Sequence, residues 1–408
     1  MKQYLDLVNA IFEEGVKTGD RTGTGTISRP SYEYTCKMYK DEEGTIHNFP
    51  LLTTKDVDLR SVFEELMWKL NGETNIKPLV ERGIHIWTEW PFKKWLKETK
   101  QYDVLENMYE DESRSKFSKQ WKETKKLFED QILNDEEFCA RWGELGRTYG
   151  FQFRRFGEVR FEDLDPKFQE ALIFSIDGRI PNPIVEGEDQ LMDAIDLIKE
   201  DPESRRIIIT LWNPKDKDED RALLPPCPFL YQFFAYEKDI LHLKMSQRSS
   251  DTFLGVPYNT AQDALFLCMM AQVTGRKPGM FIHSFSNAHI YLNHVKQMKE
   301  QLTRTPHQLP SIRLNPNVKN ILDFTWKDIE LIDYEHDKSI RGAVSIWSRS
   351  HYLEKTVEIF ALRFLLFSVF LSNSKWTSFL KSFNTWFKTC LIISIQSSNN
   401  ITFLNTTS

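Results

Sequence analysis

The chain lacks an excess of basic residues, paired cysteines and any apolar run long enough to cross a membrane. Each absence closes a class of function. Lysine and arginine number 53 against 59 acidic residues, for a formal net charge of −6. No global positive field draws nucleic acid, so any bound phosphate must be held by a local group of arginines. Five cysteines are present, Cys36, Cys139, Cys227, Cys268 and Cys390, with no C-x-x-C pair among them. That number and spacing argue against a disulfide framework and against a zinc site, and for a reducing cytoplasm. Met1 to Phe12 is charged and amphipathic, unlike a signal peptide. The apolar run from Ile359 to Leu371 is broken by Arg363 and is too short to span a bilayer. Neither a Rossmann nor a P-loop glycine fingerprint occurs. From Ile359 to Ser408 there is no aspartate or glutamate at all. We read residues 347–408 as an appended tail without a catalytic role, the alternative being a membrane-surface or partner-binding segment.

What is present is the material of a globular enzyme. The 408 residues are 40% hydrophobic and 13% aromatic, enough for a sizeable packed core. Tyr4, Leu7, Val8, Ile11 and Phe12 recur at helical spacing and predict a first helix from about Gln3 to Lys17. A polar loop, Asp20 to Thr26, follows. Residues 59–70 return to a helical pattern. Residues 91–142 hold 23 charged residues in 52, with Phe117, Trp121, Phe128 and Ile132 as an apolar stripe. This predicts a solvated helical insertion with one buried face. Beyond it, strands are expected at residues 207–212, 229–236 and 281–285. Helices are expected at 260–273 and 289–302, in a mixed α/β arrangement.

Several strings carry chemistry. In Leu224-Pro225-Pro226-Cys227-Pro228 a cysteine sits in a rigid turn before a strand, which suits a nucleophile, although a lone cysteine also fits a small core residue. Residues 247–259, QRSSDTFLGVPYN, form a dense polar string between an apolar strand and an apolar helix. Arginine there offers a fork for phosphate, and asparagine offers both a donor and an acceptor for a pyrimidine edge. A capped loop is the plainer reading. Arg205 and Arg206 precede a strand and fit either solvated surface or phosphate binding. Glu64 and Glu65 lie in an apolar helix, and spacing alone does not decide which faces inward. His289 and Tyr291 stand two apart.

In order along the chain, these strings resemble the thymidylate synthase family, including its hydroxymethylase relatives, from Asp20 to about Ile346. The matching pieces are DRTGTGT at 20–26, TTK at 53–55, EELMW at 64–68, GETNI at 72–76, IWTEW at 86–90, LGRTYG at 145–150, SRR at 204–206, LPPC at 224–227, the 247–259 string, AQVTG at 271–275 and AHIYLNH at 288–294. The resemblance implies a catalytic domain over residues 1–346, of mixed α/β (α+β) class, whose sheets pack face to face across a homodimer. It implies that Cys227 attacks C6 of dUMP and that C5 takes a one-carbon unit from 5,10-methylenetetrahydrofolate, with no metal. Arg21, Arg248 and Ser249 match the phosphate site, with Arg205 and Arg206 reaching in from the other subunit. Asn259 matches the base reader and favours uracil. His289 and Tyr291 match the deoxyribose site. Glu65 and Tyr149 match the proton-handling groups. Trp87, Trp90, Leu224, Asp251, Gly255 and Tyr258 match the folate wall, Asp251 also counting among the catalytic groups.

Four positions depart from the family pattern near the base and folate: Thr88 for aspartate, Phe153 for tryptophan, Pro228 for the histidine after the cysteine, and Asn287 in the stretch before His289. The family's closing C-terminal segment is only loosely echoed by residues 339–346, and 62 residues follow it. Hydride transfer at the last step gives a methyl group, whereas water gives a hydroxymethyl group. These departures lead to the expectation of a deoxyuridylate hydroxymethylase of viral type, with thymidylate synthase itself as the alternative and an inactive binding homologue as a third reading.

Overall fold

The computed structural model describes residues 1–101, 119–175, 183–218, 221–237 and 239–345. The first helix, Lys2–Glu14, buries Tyr4, Leu7, Val8 and Ile11 along one stripe. It is shorter than its periodicity predicts. Gly15 turns extended, and its N–H donates to the Ile11 carbonyl at 3.0 Å. A Cβ on Gly15 would lie 2.3 Å from that carbonyl oxygen. The β-branched residues after it then form strand β1 (Val16–Thr18), antiparallel to β2 (Thr26–Lys37).

The main sheet runs β1-β2-β9-β7-β6-β5, with short β8 (Ser250–Asp251) also pairing β9. β5 is Ile208–Thr210, β6 is Pro228–Phe234, β7 is Ile240–Gln247 and β9 is Lys277–Tyr291. β9 is antiparallel to β2 but parallel to β7 and β8, so the sheet is mixed. A smaller antiparallel sheet runs β11-β10-β4-β3, formed by Ile329–Ile332, Ser311–Leu314, Thr45–His47 and Tyr39–Lys40. The mixed α/β class expected from the sequence is observed.

One face of the main sheet is covered by the Gly255–Val273 helix, which is buried over most of its circumference. Phe266 from this helix meets Phe153, Tyr231 and Phe233, with ring centroids 5.6 to 5.9 Å apart. Several element boundaries differ from expectation. The helix expected from residue 260 begins at Gly255. The short strand expected at 281–285 extends to Tyr291, and the helix expected from His289 begins only at Val295 after a turn at Leu292–His294. The physical reason is tertiary: β2 pairs with β9 in one register from Thr26 opposite Tyr291 to Lys37 opposite Met280, broken only at Ser31, and so overrides local preference.

Among the described residues the charged insertion is helical, in Glu89–Glu98, Lys119–Asn134 and Glu136–Trp142, with Trp121, Phe128 and Ile132 buried. Phe117 lies outside the described residues, as does everything expected of residues 347–408.

Candidate active site

The Leu224–Cys227 loop delivers its cysteine directly into β6. Proline fixes φ and donates no backbone hydrogen bond, which leaves a rigid turn with free carbonyls. Arg248, at the end of β7, takes those carbonyls. Its Nε donates to Pro226 O at 2.9 Å and its Nη2 to Pro225 O at 2.8 Å, while its backbone N–H donates to Cys227 O at 2.9 Å. The guanidinium also lies over Trp212, 5.2 Å from the ring centre. Cys227 is half-buried and is a free thiol. Its backbone N–H donates to the Tyr149 hydroxyl oxygen at 2.9 Å. Burial, and then the neighbouring Cys227, raise the Tyr149 phenol well above its usual range, so it stays protonated.

The question left open between Glu64 and Glu65 is decided by the Leu59–Leu70 helix. Glu64 turns to Arg82, at 3.3 Å. Glu65 turns inward. Its Oε1 accepts from Trp87 Nε1 at 3.0 Å and pairs with Lys69 Nζ at 2.8 Å, while its Oε2 accepts from Gln262 Nε2 at 2.9 Å. Trp87 packs on Tyr149 and Trp90, with centroids 5.6 and 5.4 Å apart. Trp90, Leu224 and Tyr258 are partly buried against the same core.

Asn259 sits in the first turn of the Gly255–Val273 helix. Gln247 Nε2 donates to its Oδ1 at 3.0 Å. Gln247 Oε1 meets His283 Nε2 at 2.8 Å, and His283 Nδ1 meets Thr260 Oγ1 at 3.1 Å. Burial lowers the His283 imidazole well below its usual pKa, so the ring is neutral. It donates from Nε2 and accepts at Nδ1, and the Asn259 amide therefore has one consistent orientation.

His289 and Tyr291 lie at the end of β9, rings edge to face at 5.1 Å, and His289 Nδ1 meets Asn287 Oδ1 at 3.0 Å. Their β2 partners are Ser28 and Thr26. That register brings the Asp20–Thr26 loop to the same end, with Leu292 N–H donating to Gly25 O at 3.0 Å. Asp20 ties the loop by accepting from the Thr22 and Gly25 N–H groups at 2.9 and 2.8 Å, and Arg21 is exposed on it. Asp251 Oδ1 accepts from the backbone N–H groups of Phe253 and Leu254 at 3.0 and 3.2 Å, just ahead of Gly255. Ser249 is half-buried beside Arg248, and its carbonyl accepts from Gln247 Nε2 at 3.1 Å.

The structure thus gathers Cys227, Tyr149, Glu65, Trp87 and Arg248 into one connected group. Arg205 and Arg206 stand apart, exposed on the loop before β5, and neither forms an ion pair among the described residues. Residues given no role in the sequence reading now join the group: Lys69, Gln262, Asp263, Gln247 and His283. A signal for three of them existed. Lys69 stands four after Glu65 in an apolar helix, and Gln262-Asp263 interrupts an apolar run.

The four departures occupy different places. Phe153 is core, packed on Tyr231 and Phe266. Pro228 is buried and opens β6 opposite Gln247. Asn287 is exposed and serves His289. Thr88 is buried, and its Oγ1 has no hydrogen-bond partner. The C-terminal echo packs back on the domain: His294 Nε2 donates to Ala343 O at 2.8 Å, and Gly342 lies against Phe253.

Among the described residues no helix is long and apolar enough to cross a membrane, and no group of three His, Cys, Asp or Glu could hold a metal ion. A family model described as thymidylate synthase matches residues 2–346. The thymidylate synthase of Mycoplasma mobile is 40% identical over 346 residues, covering 85% of this chain and 100% of the relative. That of Listeria monocytogenes serotype 4b (strain CLIP80459) is 39% identical over 348 residues, with the same two shares covered. That of Listeria innocua serovar 6a is 38% identical over 348 residues, again at 85% and 100%. With a cysteine loop, its arginine clamp and an inward glutamate assembled on a mixed sheet, the chain belongs to the thymidylate synthase family, the transferases that carry a one-carbon unit from methylenetetrahydrofolate to dUMP.

Proposed function

We propose that this protein is a thymidylate synthase in its product as well as its family, converting dUMP to dTMP with release of dihydrofolate. The observation that carries the reading is the Cys227 loop itself. The peptide that carries the half-buried thiol is fixed by Arg248, which donates to the Pro225 and Pro226 carbonyls, and by its own N–H, which donates to Tyr149. The hydroxymethyl product expected from the four departures has weaker support. The relatives described above carry the methyl-forming name. Phe153 packs in the core and Asn287 supports His289, so neither argues for an extra water at the reacting carbon.

The residues fit the folate co-substrate. Trp87 and Trp90 form an aromatic wall, and the unpartnered Thr88 Oγ1 beside them is a polar atom that a heterocycle edge can satisfy. Trp87, Trp90, Leu224, Asp251, Gly255 and Tyr258 would hold it. Methylenetetrahydrofolate supplies the one-carbon unit and the hydride. The chain's own groups do the rest. Cys227 adds through Sγ to C6 of the pyrimidine, which makes C5 a carbon nucleophile. Arg21, Arg248 and Ser249 bind the phosphate, with Arg205 and Arg206 supplied by a second subunit. Asn259 reads the uracil edge, and His289 and Tyr291 hold the sugar hydroxyl. Glu65 handles protons near the base, and Tyr149 assists removal of the C5 proton.

Purified protein given dUMP and methylenetetrahydrofolate should form dTMP and dihydrofolate in equal amounts, followed by chromatography. Hydroxymethyl-dUMP with tetrahydrofolate would overturn the methyl reading in favour of hydroxymethylation. No nucleotide product would leave only a binding role.

A further inference from the structure

A lysine with 3% of its surface exposed is costly to keep charged, and Lys69 is one. It projects from the Leu59–Leu70 helix one turn beyond Glu65. Its Nζ lies 2.8 Å from Glu65 Oε1, 2.6 Å from Gln262 Oε1 and 4.5 Å from the centre of the Tyr149 ring. Gln262 closes the circuit by donating from Nε2 to Glu65 Oε2 at 2.9 Å. Glu65 is thereby held on both oxygens, with Trp87 Nε1 as its third partner at 3.0 Å.

We propose that Lys69, with Gln262, is a positioning residue for the transfer reaction, holding the Glu65 carboxyl aimed while the Tyr149 ring is held against the Lys69 amine. This rests on the role given to Glu65 above. Stability alone does not explain the arrangement. A buried ion pair is often replaced by apolar side chains of similar volume without loss of stability, whereas groups tuned for proton transfer cluster where burial and opposite charge meet.

The ionisable neighbours are few. Glu65 and Lys69 come from one helix, Gln262 and Asp263 from the Gly255–Val273 helix, Tyr149 from the Tyr149–Arg154 helix and Tyr231 from β6. Asp263 is buried, and its Oδ2 has no hydrogen-bond partner. Burial pushes its carboxyl up to about 7, against the pull of Lys69 and Tyr231.

The test is a cycle of Lys69→Met, Glu65→Gln and the double variant in the full-length chain. Turnover is measured across pH, and dUMP binding is followed by tryptophan fluorescence. Lys69→Met should lower kcat by about tenfold to a hundredfold. It should leave dUMP binding within about threefold and move the acid limb of the kcat profile up by about one to three pH units. Lys69→Arg should restore much of the loss. If Lys69→Met fails to fold, the double variant, which leaves no uncompensated buried charge, carries the test: adding Lys69→Met to Glu65→Gln should cause no further fall in kcat. Additive losses, or a Lys69→Met enzyme with unchanged kcat and pH profile beside an impaired Glu65→Gln, would overturn the inference alone. An unimpaired Glu65→Gln would overturn the Glu65 assignment and the inference with it.

Discussion

At the scale of single residues, the structure separates groups that react from groups that aim them. Cys227 has no side-chain hydrogen bond among the described residues, while its peptide is anchored on both sides, to Tyr149 and to Arg248. Removing the sulfur should leave the anchors intact. Cys227→Ser is expected to lower kcat by more than about 1,000-fold, roughly 4 kcal/mol of barrier. Equilibrium dialysis should show dUMP binding within about threefold of the parent. Asn259 is aimed by Gln247 and His283, so its amide presents a defined pattern to a base. Asn259→Asp should lower kcat/KM for dUMP on the order of 100-fold and raise the relative use of dCMP, because a protonated carboxyl suits the reversed edge of cytosine. Competition assays with both nucleotides check this, and an unchanged preference would place base reading elsewhere. The cysteine stood out by its flanking prolines, and the asparagine by the contiguous polar string that holds it. Gln247 was in the same string but carried no sign of its duty, which depends on His283 from another strand.

At the scale of elements, the Gly255–Val273 helix does two jobs at once. Its apolar surface covers the sheet through Phe266, and its polar residues Asn259, Gln262 and Asp263 face the site. Asp263 gives the helix a pH signature. Its folded pKa of about 7 lies above the ordinary 3.8, so the folded state binds this proton more tightly than the unfolded chain does. The stability it contributes is full below the ordinary carboxylate range and is lost as pH rises through about 7. Asp263→Asn should therefore flatten the fall in urea-unfolding free energy between about pH 5 and about pH 8. An equally steep fall in the variant would assign the dependence to other groups. The helix was expected five residues shorter than it is, because Gly255, Pro257 and Asn259 read as loop. Pro257 lies in the first turn, where a missing N–H does no harm. β9, too, was expected shorter than it is. His289 and Tyr291 belong to a strand end because β2 pairs with them, and no local pattern announces a partner more than 250 positions earlier in the chain.

At the scale of the whole molecule, two arginines remain outside the connected site, and residues 347–408 lie beyond the family match. Arg205 and Arg206 are exposed in the single chain, and under the proposed function they serve a neighbouring subunit. Mixing inactive Cys227→Ser with inactive Arg205→Ala chains should restore about a quarter of parental activity, since half of the dimers are hybrids and each hybrid has one intact site. No rescue with hybrids present would rule out a shared site. A chain truncated after Leu353 should keep its thermal midpoint and its kcat, because the family match ends at residue 346. Loss of either would show that the remaining residues pack on the domain. By itself the sequence determined the family and singled out the cysteine loop and the polar string that holds Asn259. Each is written in contiguous residues whose types are dictated by local geometry or by chemistry. Tertiary structure alone decided which glutamate faces inward and that Lys69 is buried with it. It also decided that Gln262, 193 positions away in the chain, completes the pair. Those outcomes depend on how two helices pack, and a buried charge is tolerated only where packing brings its partners within hydrogen-bonding distance.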